Sequence, residues 1–236
     1  MARTKAVIAP GSGAASTLAT QAYARLRQDL IDGRFPPGEK LRVHVLCRLY
    51  DVGVSPMREA LNRASRDGLV QQTDLRGFSV APLSIEDLAD LTKVRCWLNE
   101  LALRKSIAFG DERWEEGIVL AHHRLTRTPR RVPGVASRNP EWEAMHRAFH
   151  TNLIVGCGSQ RLIDYCEQLF DSVTRYRQLW SHLGEEVEGF SDDAHKRLMD
   201  VTLARRADEA ARLLVEHFER AANLACVRLR QAAAAE

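Results

Sequence analysis

His146 and His150 stand four residues apart, and helical geometry puts such a pair on one face. His195 lies beside Leu198 and Met199, and His217 shares a helical side with Leu214, Ala221 and Leu224. An imidazole that points into an apolar interior needs a partner, because a buried polar group without one is costly. Three or four of them converging would bind a divalent transition metal, with zinc, nickel and copper all suited to imidazole. The alternative is four unrelated histidines, each with its own core hydrogen bond or its own place at the surface. A second constellation lies nearer the N-terminus, where Arg58, Asn62 and Arg66 recur every four residues and share a face. Arg pairs bidentately with guanine and Asn with adenine, so this ridge suits a major-groove reader as well as a solvated surface. A third group is cationic. Arg175 and Arg177 flank Tyr176, and one of the two must face inward if their helix packs in a bundle. A guanidinium there would pair bidentately with a carboxylate. Arg104, Arg161 and Arg197 read as surface residues.

The Arg/Asn ridge needs a short helix behind it. Ser55 suits an N-cap, Pro56 the first helical position and Gly68 a left-handed stop. Met57, Ala60, Leu61 and Ala64 supply an apolar back. Leu41 to Tyr50, which carries His44, predicts a second helix, and Asp51-Val52-Gly53 predicts the tight turn of a helix-turn-helix. Leu69–Thr73 and Phe78–Ala81 are strand-like. Asp74 to Gly77 between them reads as a hairpin tip, with Gly77 able to take positive φ and Arg76 placed to enter a groove or touch phosphate.

The histidines and the arginine pair fall on the C-terminal side of this hairpin. Ser84 with Asp87 three residues on resembles a capping-box start. Helices are predicted at 84–109, 111–128, 140–157, 159–183, 190–205 and 208–231, with Asp208 capping the last. Pro129, Pro133, Gly134 and Pro140 mark an internal loop, and Gly156-Cys157-Gly158-Ser159 a tight turn. The expected fold class is mainly α: an N-terminal winged helix-turn-helix with a small β wing, then an antiparallel helical bundle. The expected division is a disordered arm at 1–14, a winged-helix domain at 15–82 and an all-helical effector-binding and dimerisation domain at 83–231.

Charge is shared unequally along the 236 residues. Residues 1–82 hold 12 Lys/Arg against 7 Asp/Glu, and residues 83–236 hold 22 against 24. A basic N-terminal third beside a near-neutral remainder fits DNA binding fused to another function. No run of eighteen apolar residues predicts a membrane span. Five scattered cysteines without a CxxC pattern suggest reduced thiols and a cytoplasmic protein.

Phe35-Pro36-Pro37-Gly38-Glu39-Lys40-Leu41, Pro56-Met57-Arg58-Glu59-Ala60-Leu61, Asp67-Gly68-Leu69-Val70 and Arg76-Gly77-Phe78 together resemble the winged helix of GntR-family transcription regulators. The family usually has Ser-Arg-Thr-Pro where this chain has Gly53-Val54-Ser55-Pro56, so one recognition-helix arginine is Val54 here. The resemblance implies that Arg58, Arg76 and Gly77 face DNA, and His44 falls where some relatives place an arginine; Ser55, Asn62 and Arg66, on the same helix as Arg58, complete the expected DNA-binding set. His146 and His150, then His195, then His217 are similar to the metal positions of the FCD effector domain of the FadR-type branch. The family's usual aspartate ligand is His146 in this chain. Arg95 matches a position where that domain commonly has arginine, and joins Arg175 and Arg177 as an anchor for an effector. Within that branch, Leu41-Arg42, Val52-Gly53-Val54, Pro56, Arg58-Glu59-Ala60-Leu61, Ala148-Phe149-His150-Thr151, Gly156-Cys157-Gly158-Ser159 and Arg175-Tyr176-Arg177 resemble the carbon-starvation-induced regulators, which repress genes of glutarate and related dicarboxylate or lysine-degradation metabolism. That similarity, and not the composition, implies a small dicarboxylate effector with glutarate the first to consider.

The expectation is therefore a non-enzymatic, homodimeric repressor that reads a near-palindromic double-stranded operator and is released by a carboxylate, with no membrane partner. A metal-dependent enzyme is the rival class, and would need an open metal position and a general base; Glu141 and Glu143 lie near His146 but outside known base spacings. A ligand-independent DNA-binding protein is the third.

Overall fold

The helices follow from apolar stripes at helical spacing and end where capping residues stand. The computed structural model describes residues 17–73, 77–132, 139–181 and 192–233. The expected N-terminal arm and Arg76 lie outside them. The chain begins with α1 (Leu18–Ile31), capped by Thr17, whose hydroxyl accepts from the Thr20 amide at 3.2 Å. Next come β1 (Lys40–Leu41), α2 (Val43–Tyr50), α3 (Val54–Arg66), β2 (Val70–Thr73) and β3 (Gly77–Val80). The strands form an antiparallel sheet in the order β1-β3-β2, with Leu41 opposite Phe78 and Thr73 opposite Gly77. This winged helix-turn-helix closes over Leu26, Leu30, Leu46, Tyr50, Met57, Leu61 and Val80, all buried.

Two local expectations are corrected here. Leu41 belongs to a strand, not to the second helix, because pairing with β3 extends the backbone up to Arg42. The expected turn at Asp51-Val52-Gly53 is present, with Asp51 left-handed at φ 55° and Gly53 the extended N-cap of α3, a place expected of Ser55. Ser55 is consequently inside the first helical turn and makes no cap; Pro56 is tolerated there because early helical amides lack intrahelical partners.

The helical region comprises α4 (Ile85–Phe109), α5 (Glu112–Arg127), α6 (Pro140–Ile154), a 3-10 turn (Val155–Cys157), α7 (Gln160–Ser181), α8 (Asp192–Leu203) and α9 (Ala207–Ala233). Ser84 accepts from the Asp87 amide at 3.0 Å, as its spacing predicts. Asp208 lies in the first turn of α9, which starts one residue earlier than expected, and accepts from Arg104 at 2.6 Å. α4 packs against α6, α7 and α9, and α5 against α6 and α8. Trp142, Phe149, Leu103, Leu153, Leu214 and Phe218 form the core. α1 also packs against α7, so the helix that supports α3 touches the bundle directly. No described helix is long and apolar enough to cross a membrane. All five cysteines are free thiols.

Candidate nucleic-acid face and metal centre

α3 buries Met57, Ala60, Leu61 and Ala64 and turns Arg58, Asn62 and Arg66 to solvent. Among the described residues none of these three is engaged by a hydrogen bond or ion pair. Arg63 shows what engagement looks like on the same helix: it bonds Glu59 at 2.5 Å and Thr20 at 3.3 Å, tying α3 to α1. The solvent face continues through exposed Ser55 and through Val54, an apolar side chain 56% exposed. His44 is exposed on α2, and Gly77 is exposed at the wing with φ +87°, a conformation suited to glycine.

The four histidines converge. α6 supplies His146 and His150 one turn apart, α8 supplies His195 and α9 supplies His217. One ring nitrogen from each lies within 4.8 Å of the others. Ring centroids are 4.6 Å apart for His146 and His150, 5.2 Å for His150 and His217, and 4.8 Å for His195 and His217. Burial, followed by the neighbouring charges, holds all four well below the usual imidazole range, His195 down to about 3. Neutral imidazole is the form that ligates metal. Both ring nitrogens of His195 and Nδ1 of His150 are buried without a hydrogen-bond partner among the described residues. Nitrogens this close together, several of them orphaned, could hold a divalent transition metal.

Arginines surround this cluster. Arg95, on α4, is 5% exposed, and its guanidinium lies 3.6 Å from the Phe218 ring centroid and 5.5 Å from that of Phe170. Among the described residues no carboxylate pairs with it. Burial, then the repulsion of Arg177, lowers its pKa to about 9. Arg177 faces the histidines: it donates to His146 Nδ1 at 3.0 Å, to Glu143 at 2.9 Å and to Thr174 at 2.8 Å. Arg175 does not join them. Two residues along a helix is a rotation of roughly 200°, so Arg175 turns to the opposite side and donates to the Ala81 carbonyl at 2.6 Å. Glu143, one of the two carboxylates near His146, is committed to Arg177, and Glu141 is exposed.

Two residues of this centre carry no local signal in the sequence. Arg147 lies over Phe170, with its Cζ 4.6 Å from the ring centroid, and bonds both Glu167 at 2.7 Å and the buried carboxylate of Asp171. Asp171 also pairs with Arg27 of α1. It thereby joins the helix behind α3 to the wall of the histidine centre.

Comparison with known proteins matches these two regions separately. Residues 18–80 match the gntR family of bacterial regulatory proteins, and residues 90–220 match the FCD domain. The HTH-type transcriptional repressor GlaR of Escherichia coli is 34% identical over 199 residues, covering 83% of this chain and 90% of that protein. The HTH-type transcriptional regulator BphR of Paraburkholderia xenovorans is 34% identical over 202 residues, covering 84% of this chain and 80% of that one. Among solved structures, E. coli McbR/YncC superposes with a TM-score of 0.73 at 15% identity, over 91% of this chain and all of its own.

Proposed function

This chain belongs to the gntR family of bacterial regulatory proteins and carries an FCD domain, and from that premise we propose a homodimeric repressor released from its operator by a small dicarboxylate. It is a DNA-binding transcriptional regulator and not an enzyme. In the proposed complex Arg58 and Asn62 enter the major groove and Arg66 approaches the backbone. Ser55, His44 and the wing residues Arg76 and Gly77 flank them. Two such units read a near-palindrome, since a two-fold dimer imposes two-fold operators. Exposed Trp97 and Leu101, four apart on α4 and 65% and 47% exposed, support a second copy as the cover of that face. The protein works where the operator is, in the cytoplasm.

The effector site is proposed at the histidine centre, which would hold one divalent metal that supplies a Lewis-acidic position for a carboxylate oxygen. The observation that carries the effector reading is Arg95, a buried guanidinium stacked on Phe218 with no carboxylate among the described residues beside it. An uncompensated buried cation is expensive, and a ligand carboxylate supplies the missing partner. With a metal held there, one carboxylate would bind at the histidines and the other on Arg95, so the distance between carboxylates would select chain length. Glutarate is the first candidate, from the resemblance to carbon-starvation-induced regulators of glutarate metabolism. Calorimetry with glutarate, succinate, adipate and valerate tests the assignment. Each charge-assisted contact is worth about 1.5–3 kcal/mol, so valerate, with one carboxylate, should bind roughly ten- to a hundredfold more weakly. Glutarate binding untouched by Arg95→Ala, or no dicarboxylate binding at millimolar concentration, removes this site and leaves the DNA assignment standing.

A further inference from the structure

His146 occupies the place where the ligand set of the resembling domain has an aspartate, and its hydrogen bonds give it a different role. Arg177 Nη1 lies 3.0 Å from His146 Nδ1. A guanidinium can only donate, so the Nδ1 lone pair accepts and the single ring proton of neutral His146 sits on Nε2. Arg177 is held in that position by Glu143 and Thr174, at 2.9 and 2.8 Å. Trp142 stacks on the His146 ring, with centroids 4.7 Å apart, and fixes its plane. Nε2 is the nitrogen turned toward the cluster, 3.1 Å from His150 Nε2. It therefore presents an N–H, not a lone pair. Ligation through Nε2 would require the proton on Nδ1, facing an Arg177 donor with no acceptor between them.

We propose that His150, His195 and His217 hold the metal, and that His146 is a hydrogen-bond donor to the carboxylate at the fourth position. This rests on the metal and carboxylate site of the proposed function and assigns its parts. Without metal, His146 Nε2–H has an acceptor in His150 Nε2. Were the His150 Nε2 lone pair committed to a metal, the His146 N–H would face the centre, buried and lacking that acceptor. A carboxylate oxygen meets the need. His146 would thus offer a hydrogen-bond donor to an anionic effector beside the three neutral histidine ligands.

Long-range proton–nitrogen NMR of the histidine rings in the full chain, with and without zinc, reads the assignment without any substitution. The expected result is that zinc moves one ring nitrogen each of His150, His195 and His217 to the metal-bound range. His146 should keep its Nε2–H form and shift only when glutarate is added. A metal-bound shift at His146 overturns the proposal while leaving the metal centre intact. Absence of any zinc-bound histidine removes both the centre and this assignment, and calorimetry of glutarate on Arg95 then stands alone. His146→Asn, whose side-chain oxygen can still accept from Arg177, should keep one zinc per chain and weaken glutarate about tenfold, the loss of one charge-assisted bond. Loss of stoichiometric zinc in a folded His146→Asn, with far-ultraviolet circular dichroism unchanged, would place His146 among the ligands instead.

Discussion

Arg58 and Val54 divide the work of the exposed α3 ridge between a side chain that can specify a base and one that cannot. Arg58→Ala should cost about 1–3 kcal/mol on the operator and relax selectivity at one position per half-site, with little change on random DNA. Equal losses on both duplexes in a binding titration would make Arg58 a phosphate contact. Val54, 56% exposed and without a donor, can offer at most apolar contact such as a thymine methyl. Val54→Arg should therefore change the sequences recovered from a random pool while leaving the melting temperature within about a degree, as expected of an exposed position. Recovery of the same sequences would put position 54 outside the groove. These residues were legible in the sequence because helical spacing alone sorts α3 into a buried and an exposed side. The four histidines were legible as candidates for the same reason, but their convergence needed three separate helices to be brought together. Arg175 and Arg177 were left unseparated, although Ile163, Cys166, Phe170 and Val173 recur at helical spacing and carry an apolar stripe on to Arg177. Arg147 and Asp171 carried no sequence signal, because their partners lie 20 or more residues away on other helices.

The pairing of α1, α6 and α7 through Asp171 is the clearest case of an element held by a long-range contact. Asp171 is buried between Arg27 and Arg147, both of which are about one-third exposed on their side chains. Breaking a buried pair costs about 3–5 kcal/mol, and solvent screening of the two arginines places Asp171→Asn at or below the lower end, roughly 3 kcal/mol. A urea titration should show this as a lower midpoint with an unchanged slope; a loss under half a kcal/mol would mean that the two guanidiniums find water as readily as Asp171. The convergence of α6, α8 and α9 has its own signature in metal-free protein. Unfolded imidazole titrates near 6.5, whereas the folded rings lie below it, His195 at about 3. The unfolded chain thus binds the extra protons. Stability is full above pH 6.5 and falls as the pH drops below it, by about 1.4 kcal/mol per pH unit for each histidine still neutral. Denaturation of the chelated protein at pH 7.5 and 5.5 should therefore differ by more than one histidine can supply. A flat profile would mean that these rings are solvated when the metal is gone. The start of α2 moves from Leu41 to Val43 because pairing with β3 claims Leu41, and the cap of α3 falls on Gly53 instead of Ser55.

In the proposed regulator, coupling between operator and effector would act through contacts that both ligands bias. The structure supplies a continuous set: α3 packs on α1, Arg27 of α1 pairs with Asp171, Asp171 holds Arg147, and Arg147 lies over Phe170 beneath Arg95 and Arg177. A dicarboxylate on Arg95 would, on this proposal, add negative charge next to this set of arginines. It weakens operator binding only by its differential affinity for the DNA-competent and released arrangements. Linkage then makes the effect reciprocal: if saturating glutarate weakens the operator by some factor, saturating operator must weaken glutarate by the same factor. Couplings of this kind usually amount to roughly 5- to 150-fold, a range that fluorescence anisotropy of a labelled duplex and calorimetry of glutarate on the duplex-bound protein both resolve. Asp171→Asn should reduce both factors together while changing the glutarate affinity of the DNA-free protein by less than about threefold, because Asp171 touches arginines of the wall and not the proposed carboxylate positions. Unequal factors in the parent protein would mean that glutarate acts outside this equilibrium. Full coupling in a folded Asp171→Asn would mean that the signal reaches α3 by another contact between α1 and α7.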